Sequence, residues 1–423
     1  MFDGARILRW TAVAALAGLA ACSIISTNEK PAQPPGAPPP APQVQPQPEQ
    51  PQPLLPLAPP QAQPPAAFGG NVALIMPITG KLANAGESLR EGFMTAYYHT
   101  AVDRRLHVRI YDTNELGVPA AVAQATRDGA QLIVGPLARE HVAAAAAITG
   151  ARAPILALNF LPAGTPVPQA FYQFALSPED EARQVARRVI ADGHRAGVAL
   201  VPSGDWGSRV LTAFSQELQA GGGTLLGQSP IDTGLTDYSP EIMQVLGLSE
   251  SRARAKRLES VLGIKLDAEP RPRGDVEFIF AASQVNTARL LLPQLRFHYV
   301  GGIPTYATSD SYEPSPTANQ DLDGLLFPDM PWILGSELAD SVREAARAAW
   351  PGDGASRNRL FAFGFDAYLL AAALQGEPVT TQLDVQGLTG RLSLDAEHRV
   401  HRELEWGEIH NGQARVVPVT ASN

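Results

Sequence analysis

The sequence predicts an α/β fold: two doubly wound, largely parallel sheets, one to each of two lobes, followed by short antiparallel strands near the C-terminus. Three observations predict it. From Asn71 onward, short continuous apolar runs alternate with stretches whose apolar residues recur every three or four positions. The same rhythm starts again after Pro178. From Gly390 the pattern changes to "GRLSLD", "HRELEWGEIH" and "ARVVPVT", which read as an antiparallel meander with His410-Asn411-Gly412-Gln413 as its turn.

The elements follow in order. "NVALIMP" (Asn71 to Pro77) is apolar throughout and ends in a turn, as a strand buried on both faces does. Asn84 to Thr100 places Leu89, Phe93 and Tyr97 on one helical face. Strands are expected at His107 to Thr113, Gln131 to Pro136 and Ala153 to Asn159, with helices over Val118 to Asp128 and Ala138 to Thr149. A strand at Phe171 to Leu176 leads to a helix over Glu179 to Ala191. Ala196 to Pro202 is a strand, Trp206 to Gln219 a helix, and "GTLLGQS" and "VEFIFAA" are further strands. Gly221-Gly222-Gly223 reads as a helix stop. Arg252 to Arg257 is the richest basic stretch and reads as the solvated face of an amphipathic helix carrying Leu248, Leu258 and Leu262.

The N-terminus is built differently. Arg6 and Arg9 precede an apolar run from Thr11 to Ala21, the layout of a secretory signal. As a helix that run is roughly 16 Å long, too short for a bilayer core of roughly 30 Å. Leu19-Ala20-Ala21-Cys22 resembles the lipobox of bacterial lipoproteins, and Cys22 is the only cysteine in 423 residues. The resemblance implies lipidation of Cys22, and Ser23 in place of Asp implies the outer membrane, facing the periplasm. Two or more chains give stable anchoring where one gives marginal binding. Pro31 to Pro65 holds 16 of the 38 prolines and one charged residue, Glu49. Such a stretch favours extended polyproline II and at about 3.1 Å per residue reaches on the order of 110 Å. It reads as a tether, or more plainly as a spacer.

The expected organisation is therefore a signal peptide over 1–21, a lipidated Pro/Gln-rich tether over 22–70, a first lobe over 71–177, a second over 178–303, and segments returning through both lobes over 304–423. The net charge is −9, with no basic patch of the kind that tracks nucleic acid. With a single cysteine, the folded part has no disulfide and no thiolate metal site available to it.

The two-lobed pattern resembles the type I periplasmic binding proteins, in "ALIMPITG" and in "LIVGPLAREHVAAAAAITGARAPILALN". A narrower resemblance lies in "GDWGSRVLTAF", "PRPRGDVEFIF", "ARLLLPQLRFHYVGGIPTYATSDSY", "DLDGLLFPDMPWIL", "GFDAYLL" and "GLTGRLSLDAEHRVHRELEWGEI". Together these resemble the LppC/LpoA family of outer-membrane lipoproteins. That resemblance implies a non-enzymatic activator of a class A penicillin-binding protein, a peptidoglycan synthase, with peptidoglycan itself a further candidate partner. The best-known members carry a helical-repeat domain ahead of this fold, where here the proline segment stands.

Candidate ligand residues lie in loops that follow strands. They are Thr79 and Gly80, Gly135 and Pro136, Asn159, and Ser177 where the chain crosses lobes. Asp205, Trp206 and Gly207 open a helix, where backbone N–H groups, an acidic side chain and an aromatic plate meet. Equally, Asp205 is an ordinary helix cap and Trp206 an ordinary packing residue. "GPLARE" lacks the Ser/Thr cluster that grips an amino acid. Arg139 and Glu140 fill that space and could bridge the lobes. "FPDMPWIL" reads either as a rigid buried loop near the hinge or as an exposed partner patch through Phe327, Met330 and Trp332. No G-x-S-x-G elbow, Ser-x-x-Lys cluster or Walker loop occurs. His398 and His401 lie three apart near a turn, with no third metal ligand in the pattern. No catalytic residue, metal or cofactor is expected. The alternative function is a periplasmic receptor for a small polar solute such as an amino acid.

Overall fold

The computed structural model describes residues 69–148, 153–267, 269–298, 302–315, 319–349, 358–375 and 383–418. All belong to one compact unit, Ala62–Asn423. The signal sequence, Cys22 and the proline segment lie outside the described residues.

The first sheet starts with β1 (Gly69–Met76), whose Val72 to Met76 are buried on both faces. Then come α1 (Ala83–His99), β2 (Leu106–Asp112), α2 (Thr113–Leu116), α3 (Val118–Arg127), β3 (Leu132–Val134), α4 (Arg139–Ala146), β4 (Ile155–Ala157) and β5 (Phe171–Phe174). The chain crosses into α5 (Pro178–Ala191) and builds a second sheet. This runs through β6 (Ala196–Pro202), α6 (Asp205–Ala220), β7 (Thr224–Ile231), α7 (Ser239–Val245), α8 (Leu248–Leu262), β8 (Phe278–Phe280), α9 (Val285–Phe297), β9 (Thr305–Tyr306) and β10 (Leu325–Asp329). The chain returns through α10 (Pro331–Leu334), α11 (Glu337–Ala349) and α12 (Arg359–Leu374). The last strands are β11 (Asp384–Gln386), β12 (Arg391–Leu394), β13 (Arg399–Glu403), β14 (Glu405–His410) and β15 (Gln413–Val416).

The strand orders are β11-β12-β13-β5-β4-β3-β1-β2 and β15-β14-β10-β9-β8-β6-β7. Each sheet therefore holds the same five-strand parallel pattern, second-first-third-fourth-fifth, extended at one edge. Right-handed crossovers put helices on both faces. In the first lobe α1 and α12 cover one face and α3 and α4 the other. In the second, α5 and α6 cover one face, and α7 and α9 lie on the other.

The C-terminal strands correct the expected single meander. "HRELEWGEIH" is split at Leu404. β13 pairs parallel with β5 in the first sheet, while β14 pairs antiparallel with β10 in the second. The β14–β15 turn falls at Asn411-Gly412 as expected. Inward-facing residues run Val400, Arg402, Leu404, Trp406 without a break in alternation. A strand that changes sheets while keeping its period leaves no mark in the pattern. A second correction concerns α8. Leu248 is buried, but Leu258 and Leu262 are 53% and 56% exposed, so the apolar face of this helix is largely uncovered.

The α1–α12 contact rests on two glycines. A Cβ on Gly92 would lie 1.8 Å from the Phe361 carbonyl oxygen, and one on Gly364 would lie 2.0 Å from that of Leu89. Backbone cannot swing aside as a side chain can, so the helices would have to part. We expect Gly364→Ala to cost about 1–3 kcal/mol or more. Gly274→Ala, at an exposed glycine with open space around it, should stay within about 0.5 kcal/mol. Urea midpoints of the two variants check this.

Candidate functional site

A cavity of about 650 Å³ lies between the lobes. Its first-lobe wall is Arg139 at the start of α4 and Asn159 to Leu161 after β4. Its second-lobe wall is Glu179 and Arg183 on α5 with Ser208, Arg209 and Thr212 on α6. Ser177 joins the walls. It caps α5, accepting from the Asp180 N–H at 3.2 Å while its hydroxyl donates to Glu179 at the same distance. Asn159 Nδ2 donates to the Leu137 carbonyl at 3.1 Å, and its Oδ1 accepts from the Phe160 N–H. That fixes the loop and leaves little of the amide for a ligand. Burial raises the Glu179 pKa, but Arg209 at 2.6 Å and Ser177 more than offset it, so the carboxyl lies below its usual range.

Of the residues singled out from sequence, the structure brings Asn159, Ser177 and Arg139 to this cavity. The others do not line it. Thr79 donates to Asp112 Oδ2 at 2.6 Å. Burial acts to raise the Asp112 pKa. The bonds from Thr79, the Asn114 N–H and the Ile78 N–H outweigh it and hold the pKa low. Thr79 thus ties β1 to β2, and Gly80 supplies the left-handed turn beside it. Gly135 and Pro136 are buried, and a Cβ on Gly135 would meet the Ile75 carbonyl oxygen at 2.0 Å. Asp205 is the first residue of α6 and makes no side-chain cap bond, while Trp206 packs on the second-lobe core. Gly207 lets α6 approach the Pro202 carbonyl. Close approach of backbone accounts for Gly135 and Gly207, and the left-handed turn for Gly80.

The exposed-patch reading of "FPDMPWIL" is overturned. Phe327, Met330 and Trp332 are 0%, 2% and 3% exposed. Phe327 belongs to the second-lobe core, Met330 and Trp332 to the first. The segment is the return crossing, and each end is drawn into a different core. Trp332 stacks on Phe361, with Arg343 over its ring at 4.7 Å.

Nor do Arg139 and Glu140 bridge the lobes; both are exposed, and no ion pair involving either is found among the described residues. A different pair of arginines does so. Arg359, at the start of α12, pairs with Asp329 at the end of β10 and donates to the Ser309 and Tyr312 carbonyls at 3.0 Å. Arg402 on β13 reaches Glu181 on α5 at 3.3 Å. Glu181 also accepts from the Ser309 N–H and hydroxyl, and Gln184 bonds Arg402 O and Leu404 N. Asp329 is buried, and burial pushes its pKa up against the opposing pull of Arg359. These groups escaped sequence reasoning, although one signal was present. Arg402 occupies an inward position in an alternating strand, where a charge needs a partner. Among the described residues there is no cluster of three metal-ligating side chains, and no helix long and apolar enough to cross a membrane.

Comparison with known proteins agrees with this architecture. A relative from Photobacterium profundum, named penicillin-binding protein activator LpoA, is 32% identical over 344 residues, covering 79% of this chain and 55% of its own length. One of the same name from Vibrio cholerae is 28% identical over 349 residues, covering 80% and 56%. The chain thus spans about half the length of these relatives. The C-domain of LpoA from Haemophilus influenzae, titled a regulator of PBP1A, superposes with a TM-score of 0.62 at 24% identity, covering 82% of this chain and all of that one. An ABC transporter substrate-binding protein from Sphaerobacter thermophilus superposes at 0.58 with 16% identity, covering 82% and 96%. These structural likenesses establish the fold alone. The family described as "LppC putative lipoprotein" matches residues 54–412, and the chain belongs to that family.

Proposed function

We propose that this chain is a non-enzymatic activator of a class A penicillin-binding protein, held at the outer membrane by lipid on Cys22 and extended into the periplasm by its proline segment. The clasp between the lobes is the structural observation that carries the reading. Two arginine–carboxylate pairs, a glutamine bridge and three chain crossings join the lobes, and Asp329, Glu181 and Arg402 are all buried. Opening such a hinge would strand buried charges. A clasped body suits a protein that presents fixed surfaces to a partner better than a receptor that opens and closes on a solute. The names of the sequence relatives point the same way. Activation would follow from tighter binding to the synthase's active conformation than to its inactive one.

The test is direct binding of the full chain, in detergent, to a purified class A penicillin-binding protein from the same cell. A parallel thermal-shift panel of amino acids covers the receptor reading. We expect saturable binding to the synthase. Absence of binding, with a clear shift from one solute, would replace the activator by the receptor reading, which the interlobe cavity favours.

A further inference from the structure

A second groove, of about 620 Å³, adjoins the interlobe cavity along α5, and its reading does not rest on the activator proposal. One stripe of α5 forms one wall: Asp180, Arg183, Gln184, Arg187, Arg188 and Ala191, spaced as one helical face. β13 and the start of β14 form the other. Phe160 and Arg399, with the guanidinium 5.5 Å over the ring, line both this groove and the interlobe cavity, as do Asp180 and Arg183.

Five arginines and two carboxylates, Asp180 and Glu403, line the groove in a chain whose net charge is −9. Arg188 and Arg402 form its floor, 8% and 7% exposed. Each spends one nitrogen on a carboxylate, Arg188 Nε on Asp192 at 2.8 Å and Arg402 Nη2 on Glu181 at 3.3 Å. Each also keeps a buried Nη1 with no hydrogen-bond partner among the described residues; Arg188 in addition lies over the Trp406 ring. Arg399 has no ion pair among the described residues, and its Nε is likewise buried and unpartnered. Arg183 and Arg187, on the rim, each meet one carboxylate through Nη1, Asp180 and Glu217. Three of the lining arginines thus each carry a buried guanidinium nitrogen without an acceptor, a costly arrangement.

We propose that this groove binds an organic polycarboxylate. Guanidinium forks match carboxylates and phosphates alike. The spacing decides between them. Arg183 and Arg187 stand one helical turn apart, with Cβ atoms about 5–6 Å from each other. Arg399 and Arg402 line the facing wall on β13. The cations are thus spread over both walls of the groove, two on α5 facing two on β13. That suits several separated carboxylates on one flexible molecule, such as a free polycarboxylic acid or an acidic peptide, better than a single compact phosphate.

The test is calorimetric titration of the full chain in detergent with citrate, a Glu-Glu dipeptide and inorganic phosphate, at constant ionic strength. Citrate or the dipeptide should bind saturably, the tighter of the two showing whether the source is a free acid or a peptide. Arg187→Gln, a rim change at an exposed residue, should weaken that binding at least tenfold. Arg209→Gln, which alters only the interlobe cavity, should leave it unchanged. No saturable binding would overturn the proposal. So would phosphate binding as tightly as both carboxylates, or loss with Arg209→Gln and none with Arg187→Gln.

Discussion

Arg359→Met should cost about 3–5 kcal/mol of folding stability at pH 7.5, among the largest single-residue effects expected in this protein. The guanidinium serves Asp329 and the carbonyls of Ser309 and Tyr312 together. Its loss leaves a buried carboxylate without a counter-charge and two carbonyls without a donor. The pH dependence identifies the cause. The Asp329 pKa is already raised by burial, and removing Arg359 raises it further. A raised carboxyl is best tolerated in its neutral form, so the penalty is smallest below the unfolded-state pKa, near 4, and grows as pH rises through the folded value. Denaturant unfolding at pH 5 and pH 7.5 should therefore show a smaller loss at the lower pH. Arg359→Met combined with Asp329→Asn should recover part of it. Equal losses at both pH values would mean that packing, not charge, holds the crossing.

Asp366 gives the second large effect. It is fully buried in α12 and accepts from the Leu388 N–H and the Thr389 N–H, each at 2.7 Å, and from the Thr389 hydroxyl. These bonds fasten the loop before β12 to the helix. Burial is the largest influence and pushes its pKa up to about 6, against the lowering pull of Thr389, Leu388 and Arg402. The folded value exceeds the unfolded one, near 3.9, so the stability contribution is full below about pH 4 and is lost as pH passes through about 6. A shift of about two units corresponds to about 3 kcal/mol. Asp366→Asn removes the titration. Wild-type stability minus that of Asp366→Asn should therefore fall by about 3 kcal/mol between pH 4 and pH 7.5, read from unfolding midpoints. A difference that stays constant or grows with pH contradicts this account of the site.

The parallel sheets were legible because buried strands such as Val72–Met76 and Val198–Val201 are apolar throughout, and their helices carry one-sided periodicity. The doubling of the pattern was legible for the same reason. The strand that changes sheets at Leu404 was not, because its alternation runs unbroken from Val400 through Trp406, across the switch. The fate of "FPDMPWIL" also turned on tertiary context. The same mixture of aromatic and proline residues suits an exposed patch or a buried crossing, and two cores claim its two ends. Asn159 and Ser177 were found through the general rule that ligands meet loops at the carboxyl ends of parallel strands. That rule also selected Gly135 and Gly207, which serve backbone packing. The clasp joins Glu181 to Arg402 and Asp329 to Arg359, partners 221 and 30 positions apart. Pairing at such range has no local signature.

The most direct measurement of the central claim is the rate of glycan-strand synthesis by a purified class A penicillin-binding protein, with and without a saturating amount of the full chain. The activator reading predicts a higher rate with the chain present, and no synthesis from the chain alone. A rate unchanged at saturation would contradict it.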